Sequence, residues 1–301
     1  MQIVYTYRIF DWIILSEHKF SVFLPNTIGQ LRKPNLTIRY LQNETLFFTN
    51  PVLKKKNLVL STEGFYFTAA SLNFLYNHEA KTLFFTKTND ETVEAYILGP
   101  VIALIGAFQG FVPLHAAGVK VNNLSWLIVG RSGTGKSTLL YELMRNYSAT
   151  FFSDDLVFTV FRKSRVQAMP SFPFIKLWED AVLRFKASKQ KAVHHKINKY
   201  YLEQSTCFVS DIQQPSVILV LQTSTQSTTS YEEIKGTKKF LYLQQNVYRK
   251  PWIEALFKEN VFFTLTALSK QCRMFVVRRP LLTNAKIWSE MIQKLINELN
   301  S

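Results

Sequence analysis

With 301 residues, 47% of them hydrophobic and only 10 Gly and 10 Pro, the chain can fold as one large or two ordinary domains, and collagenous or long disordered architectures are excluded. The 36 Lys and Arg against 21 Asp and Glu leave a formal charge of +15, which calls for an anionic partner. Only Cys207 and Cys272 are present, without CxxC spacing, which excludes a disulfide framework and a cysteine zinc site and fits a reducing, cytoplasmic compartment.

The N-terminus, MQIVYTYRIFDWIIL, lacks a basic region and carries Asp11 inside its apolar part, unlike a signal peptide. Residues 1–91 read as a small β-rich domain. Ile3–Ile9, Phe20–Leu24, Leu36–Tyr40, Thr45–Thr49, Leu58–Ser61, Phe65–Phe67 and Thr82–Thr86 are aliphatic, β-branched or aromatic runs. Pro25-Asn26, Lys33-Pro34-Asn35, Asn43-Glu44, Thr62-Glu63-Gly64 and Asn89-Asp90 separate them as turns. Lys54-Lys55-Lys56 fits a solvated turn.

Residues 92–301 read as a layered α/β domain, so the chain is α+β overall. Ala95–Val119 contains no Asp, Glu, Lys or Arg and is long enough for a membrane span, but Gly99-Pro100, Gly106, Gly110 and Pro113 break it into a buried helix of about 10 residues and an extended piece. Asn122-Asn123 is a two-residue turn that lays the His115 strand antiparallel to the next one. His115 is then either a hydrogen-bonded core residue or a functional group at the strand end.

Leu127–Val129 reads as a buried strand and Ser137–Arg145 as a helix, with Gly130-Arg131-Ser132-Gly133-Thr134-Gly135-Lys136-Ser137 between them at full P-loop spacing. Such a loop turns its amides inward onto nucleotide phosphates at a helix N-terminus, a cradle that Thr138 completes. Lys136 supplies a movable charge for the β and γ phosphates, and the Ser137 hydroxyl is the expected Mg²⁺ ligand. The apolar run ending in Ser153-Asp154-Asp155 delivers two carboxylates to the ligand edge of a sheet. Adjacent strand residues face opposite ways, so their roles separate: Asp154, with His115, is the expected base, and Asp155 the magnesium partner.

Met169–Asp180 is extended and fixed by prolines. Arg184–Lys199 is a basic run, either a solvated loop or a grip on an acidic substrate or a transferring phosphoryl group; its His194 and His195 lack metal spacing. Val217–Gln222 and Met274–Arg279 read as strands, and Thr237–Gln245 and Trp252–Ser269 as helices. Thr283–Leu299 closes as an amphipathic helix on Ile287, Met291, Leu295 and Leu299.

Leu98-Gly99-Pro100, Leu114-His115-Ala-Ala-Gly-Val, the Gly130–Ser137 loop, Ser153-Asp154-Asp155 and Pro173-Phe-Ile-Lys-Leu-Trp178 together resemble the HPr kinase/phosphorylase family. The chain is more similar still to HPr-kinase-like proteins found beside peptide-modification genes. The resemblance implies a P-loop HPr-kinase-like core and Mg-ATP-dependent phosphoryl transfer to a serine hydroxyl of a protein or peptide, with His115 and one aspartate at the transfer site. Residues 1–91 do not look like that family's N-terminal domain. Two other readings stay open: a small-molecule hydroxyl kinase on the same core, and an ATP-switched module that binds nucleic acid. The expected partners are a peptide or protein substrate of acidic character and a second copy of the chain, with no membrane span.

Overall fold

The computed structural model describes residues 5–21, 33–42, 48, 50–88, 92–188, 191–194, 197–225, 228–280 and 285–300. Its N-terminal sheet contains β1 (Tyr5–Ile9), β2 (Trp12–Ser16), β3 (Leu36–Tyr40), β4 (Leu53–Lys55), β5 (Leu58–Ser61), β6 (Gly64–Ala69), β7 (Leu72–Asn77) and β8 (Thr82–Phe85), in the order β1-β2-β3-β8-β7-β6-β5-β4. The β2–β3 and β3–β8 pairs are parallel and the others antiparallel. Strands β2, β4 and β7 are additions to the sequence expectation. The hairpins β1–β2 and β6–β7 turn through Phe10-Asp11 and Ala70-Ser71, pairs with positive φ but no glycine to announce them. The expected strand residues 3–4, 22–24, 45–47 and 49 and the turns at 25–26, 43–44 and 89–90 lie outside the described residues.

Next come α1 (Thr92–Tyr96), a π-helical turn (Ile97–Val101), α2 (Ile102–Phe108), β9 (Val112–Leu114), β10 (Ala116–Val121), β11 (Leu124–Val129), α3 (Lys136–Asn146), β12 (Thr150–Ser153), β13 (Val157–Arg162) and β14 (Arg165–Met169). They are followed by β15 (Phe174–Trp178), α4 (Glu179–Phe185), β16 (Lys191–His194), β17 (Ile197–Glu203), β18 (Pro215–Ser224), β19 (Ser230–Glu233), α5 (Lys238–Gln245), α6 (Lys250–Gln271), β20 (Arg273–Pro280) and α7 (Ala285–Asn300). The fold is mixed α/β with several sheets. One six-stranded sheet, β12-β10-β11-β18-β20-β19, organises this part, with β11, β18 and β20 parallel.

Strand parity divides its side chains between two cores. Leu127, Val129, Ile218, Val220, Met274 and Val276 face the core shared with α2, α6 and the N-terminal sheet. Trp126, Ile128, Leu219, Leu221, Phe275 and Val277 face the core under α3 and α7. The first core is continuous from the N-terminal sheet to α6, and its centre is aromatic: Phe10 and Trp12 meet Phe158 at ring-centroid distances of 4.3 and 5.6 Å.

Three expectations need correction. Gly99-Pro100 and Gly106 do not break the charge-free segment into a helix of about 10 residues; the chain stays helical from Thr92 to Phe108, because the π-turn widens the hydrogen-bond ladder around the proline that cannot donate. The buried stripe of α7 is Trp288, Met291, Ile292, Leu295 and Ile296, while Ile287 is exposed, since a strict four-residue step drifts off the face of a 3.6-residue helix. The described residues of the basic run lie at the end of α4 and in the paired strands β16 and β17 rather than in a loop. Among the described residues, no helix is long and apolar enough to cross a membrane.

Inside a helix, alanine ordinarily gains about 1 kcal/mol over glycine. At Gly106 in α2, however, a Cβ would lie 2.3 Å from the Phe158 ring, which Phe10, Trp12 and Phe111 hem in. Gly106→Ala is therefore expected to lower the unfolding free energy by about 1–3 kcal/mol, read from the urea midpoint. A stabilised variant would show that the ring can move aside.

Candidate active site

The site lies where β11 ends. Gly130 leaves the strand at φ +152°, and a Cβ there would lie 2.5 Å from the Leu221 carbonyl oxygen of β18, so only glycine lets the loop pass the neighbouring strand. Gly135, at φ +93°, turns the chain into α3. The first residues of that helix are Lys136 and Ser137, so both side chains start at the positive end of its dipole.

Lys136 is buried, and its ammonium donates to the carbonyls of Gly130 (2.9 Å) and Arg131 (3.1 Å) and contacts His115 Nε2 at 2.9 Å. His115 Nδ1 lies 3.1 Å from the Asp155 carbonyl oxygen. These neighbours select the neutral tautomer in which Nδ1 donates to the carbonyl and Nε2 accepts from Lys136. Burial first, and then the Lys136 charge, lowers the His115 pKa. Burial likewise brings the Lys136 ammonium down to about 8.

Strand β12 ends at Ser153, and Asp155 takes a left-handed conformation at φ +74°. That turn sends the two carboxylates to different partners. Asp154 is buried; its Oδ1 accepts from the Ser137 hydroxyl at 2.8 Å and its Oδ2 from the Lys176 amide at 2.8 Å. Asp155 Oδ2 accepts from Lys176 Nζ at 2.9 Å, and its Oδ1 is 3.5 Å from His115 Nδ1. Burial and the adjacent Asp155 charge raise the Asp154 pKa. Burial also favours neutral Asp155, but Lys176, Lys199 and His115 outweigh it and hold that carboxyl far below the usual range. The same pairing holds Lys176 well above an ordinary lysine despite its burial.

Two cavities meet here. The smaller, about 260 Å³, is bordered by the loop from Ser132 to Thr138 and by Lys176, Arg184, Lys199 and Arg279. Arg279 Nη1 lies only 3.3 Å from where a Gly135 Cβ would be, and its guanidinium covers Trp288 at 5.0 Å. The larger, about 950 Å³, opens on the other flank of His115 and Asp155, past Gly130, Arg131, Ser132 and Thr134. Arg131 and Thr134 are joined by a hydrogen bond from Thr134 Oγ1 to the Arg131 carbonyl, 2.8 Å.

Every residue singled out in the sequence, from His115 through the Gly130–Thr138 loop to Asp154 and Asp155, borders this region or is hydrogen-bonded to a residue that does. The grouping differs from the expected one in one respect: His115 and Lys176 sit with Asp155, and Ser137 with Asp154. The basic run contributes through its ends, Arg184 and Lys199, while Lys191 reaches Glu94 (3.5 Å). The side chains of residues 194–197 lie outside the described residues.

Sequence reasoning missed Lys176, Asn246 and Arg279. A lysine inside the apolar strand Phe174–Trp178 is the signal that marks Lys176. Asn246 Oδ1 accepts from the Gly130 amide at 2.9 Å, a contact across 116 positions that no local pattern announces.

Among the described residues, no three His, Cys, Asp or Glu side chains cluster as a metal cage. Mg²⁺ needs none: it keeps several waters and takes one or two protein oxygens beside phosphate, and the adjacent Ser137 hydroxyl and Asp154 carboxylate fit that donor set.

No protein-family model and no curated protein matches the chain. Among solved structures, the HPr(Ser) kinase/phosphatase from Coxiella burnetii is similar to it at 9% sequence identity and a TM-score of 0.34, over 63% of this chain and 99% of that one. An overlap of this quality transfers neither an activity nor a residue role to the chain.

Proposed function

We propose that the chain is a P-loop kinase that transfers the γ-phosphoryl group of Mg-ATP to a hydroxyl, the serine of a protein or peptide being the acceptor the motifs favour. One observation carries the reading: Lys136, Ser137, Asp154, Asp155 and His115 converge on a glycine loop at a helix N-terminus, with the Ser137–Asp154 bond formed. Five cations, Lys136, Lys176, Arg184, Lys199 and Arg279, line the small cavity against two carboxylates, Asp155 and Asp180, a net positive lining that suits a triphosphate. That Lys199, Arg184 and Arg279 gather at the loop, rather than along a separate stripe, favours a nucleotide over nucleic acid as the partner of this charge.

In this reading Ser137 and Asp154 hold Mg²⁺, which when bound neutralises charge on the β and γ phosphates. Lys136, now held by two carbonyls and His115, moves onto the phosphate oxygens. Asp155, kept ionised by Lys176, accepts the acceptor hydroxyl's hydrogen bond and fixes its direction; phosphoryl transfer through a loose transition state needs positioning more than strong basicity. This reading gives the two aspartates the reverse of the roles expected from the sequence, and the His115–Asp155 contact at 3.5 Å supports it.

Two predictions follow from this geometry. Phosphate binding needs charged Lys136, so Mg-ATP affinity should hold below its pKa of about 8 and weaken above it, approaching about tenfold per pH unit. Calorimetric titration between about pH 6.5 and 9.5 tests this; Lys136→Ala should bind weakly and without that dependence, and a flat wild-type profile would remove Lys136 from the phosphate site.

The second prediction separates the acids. Asp155→Asn should cut transfer by ~10²-fold or more with Mg-ATP affinity nearly kept, whereas Asp154→Asn should first raise the magnesium requirement. Asp155→Asn also leaves the buried Lys176 unpaired, a loss of roughly 3–5 kcal/mol that Lys176→Met in the same chain should largely restore. If Asp154→Asn binds Mg-ATP normally and loses transfer while Asp155→Asn is active, the roles return to the first assignment; if both transfer normally, the kinase reading fails.

A further inference from the structure

The larger cavity shares His115, Ser132, Thr134 and Asp155 with the phosphate cavity but has no part in the chemistry above. Loop polarity says which end of a nucleotide it faces. In a strand–loop–helix site, the amides nearest the helix hold the α and β phosphates and the lysine reaches the β and γ. Gly133 and residues 135–138, toward the helix, line the smaller cavity alone, whereas Gly130 and Arg131, whose carbonyls hold the Lys136 ammonium, line the larger one alone. The γ end therefore faces the larger cavity, with Asp155 between the two.

The wall opposite the loop is the turn between α5 and α6, and it is firmly placed. Asn246 accepts from the His115 amide through its carbonyl (2.8 Å) and from the Gly130 amide through its side chain. The Tyr248 amide donates to the Pro113 carbonyl at 2.9 Å. The next residue, Arg249, holds φ at +49°, a conformation costly for a residue with a Cβ, and its carbonyl caps α6.

Cations dominate this lining. Arg131, Arg249 and Lys250 border the cavity, and its one carboxylate, Asp155, is engaged by Lys176. Lys250 has Glu254 at 3.9 Å. Among the described residues no carboxylate pairs with Arg249; its guanidinium lies 5.0 Å over the Trp252 ring and bonds to the Tyr248 hydroxyl. A guanidinium fixed on a strained turn, with donors still free, is built for a carboxylate or phosphate.

Resting on the kinase reading, we propose that the larger cavity receives the acceptor and that this acceptor carries an anionic group beside its hydroxyl, held by Arg249. The acceptor oxygen bonds to the γ phosphorus as the bond from that phosphorus to the β–γ bridging oxygen breaks; ADP leaves, and the hydroxyl proton passes by way of Asp155 to solvent. The grip on an acidic substrate thus belongs to the α5–α6 turn, and the basic run, through Lys199 and Arg184, serves the phosphates.

The test uses two fluorescent serine-centred peptides, alike except for glutamate or lysine flanks, titrated onto the full chain with Mg-ADP present. The glutamate peptide should bind at least about tenfold tighter. Arg249→Glu should abolish that preference and Arg249→Lys keep part of it. Lys270→Glu, which reverses an exposed charge at the other end of β18, controls for the general +15 field and should leave the preference unchanged. Equal binding of the two peptides, binding of neither, or a preference that survives Arg249→Glu or is lost equally in Lys270→Glu overturns the acceptor assignment. Mg-ATP titrations of the same proteins separate the two levels: a wild-type chain that binds no Mg-ATP fails the kinase reading itself.

Discussion

The pair Lys176–Asp155 is the interaction on which the rest of the site depends. Two adjacent carboxylates at the end of a strand repel one another, and burial makes both costly to ionise. Lys176 resolves this twice: its ammonium takes the Asp155 charge and its amide takes one oxygen of Asp154. The left-handed turn at Asp155 completes the separation, so that one acid faces Ser137 and the other His115. With that pair neutralised, Lys136, Lys199 and Arg279 remain as an excess of positive charge around the glycine loop. Burial lowers the Lys136 pKa, and in the proposed reading an incoming polyphosphate would balance the remaining charge.

A second constraint ties the loop to its surroundings. Asn246 spends its carbonyl on the His115 amide, its side-chain oxygen on the Gly130 amide and its side-chain nitrogen on the Tyr242 carbonyl. The loop, the His115 strand and the α5–α6 turn thereby share one buried side chain. Leu114 and Val247 are bridged beside it, so the spacing between the imidazole and the turn that carries Arg249 is set by backbone hydrogen bonds rather than by flexible side chains. Rigid placement of this kind is what the proposed in-line transfer would require.

The sequence was legible where chemistry restricts residue type. A phosphate loop needs glycines, a lysine and a hydroxyl at set spacing, and the strands and helices around it alternate with clear period, so β11, α3, β18, β20 and the glycine loop between β11 and α3 were accessible from local pattern. Legibility ended where tertiary contact decides. The hairpins at Phe10-Asp11, Ala70-Ser71 and Lys163-Ser164 use non-glycine residues at positive φ, stabilised by pairing rather than by propensity. Asn246 and Arg279 enter the site from distant elements. Which partners the Asp154 and Asp155 carboxylates meet did not follow from strand parity, because the strand stops at Ser153 and the turn that follows overrides alternation.

The N-terminal sheet belongs to the same mechanical unit. Glu94, buried at the start of α1, accepts from the Ser21 amide at 3.0 Å and its hydroxyl at 2.7 Å, with His18 Nε2 3.7 Å and Lys191 Nζ 3.5 Å away. These donors hold its carboxyl below the usual range in spite of the burial that opposes ionisation. Lys191 lies on β16, whose antiparallel partner β17 carries Lys199 to the smaller cavity. One strand of the hairpin thus reaches Glu94 of α1 while the other carries Lys199 to the smaller cavity. The aromatic core around Phe158 also runs unbroken between the sheet and α2, so the sheet, α1 and the strand that carries Lys191 are joined by both apolar packing and the Glu94 contacts.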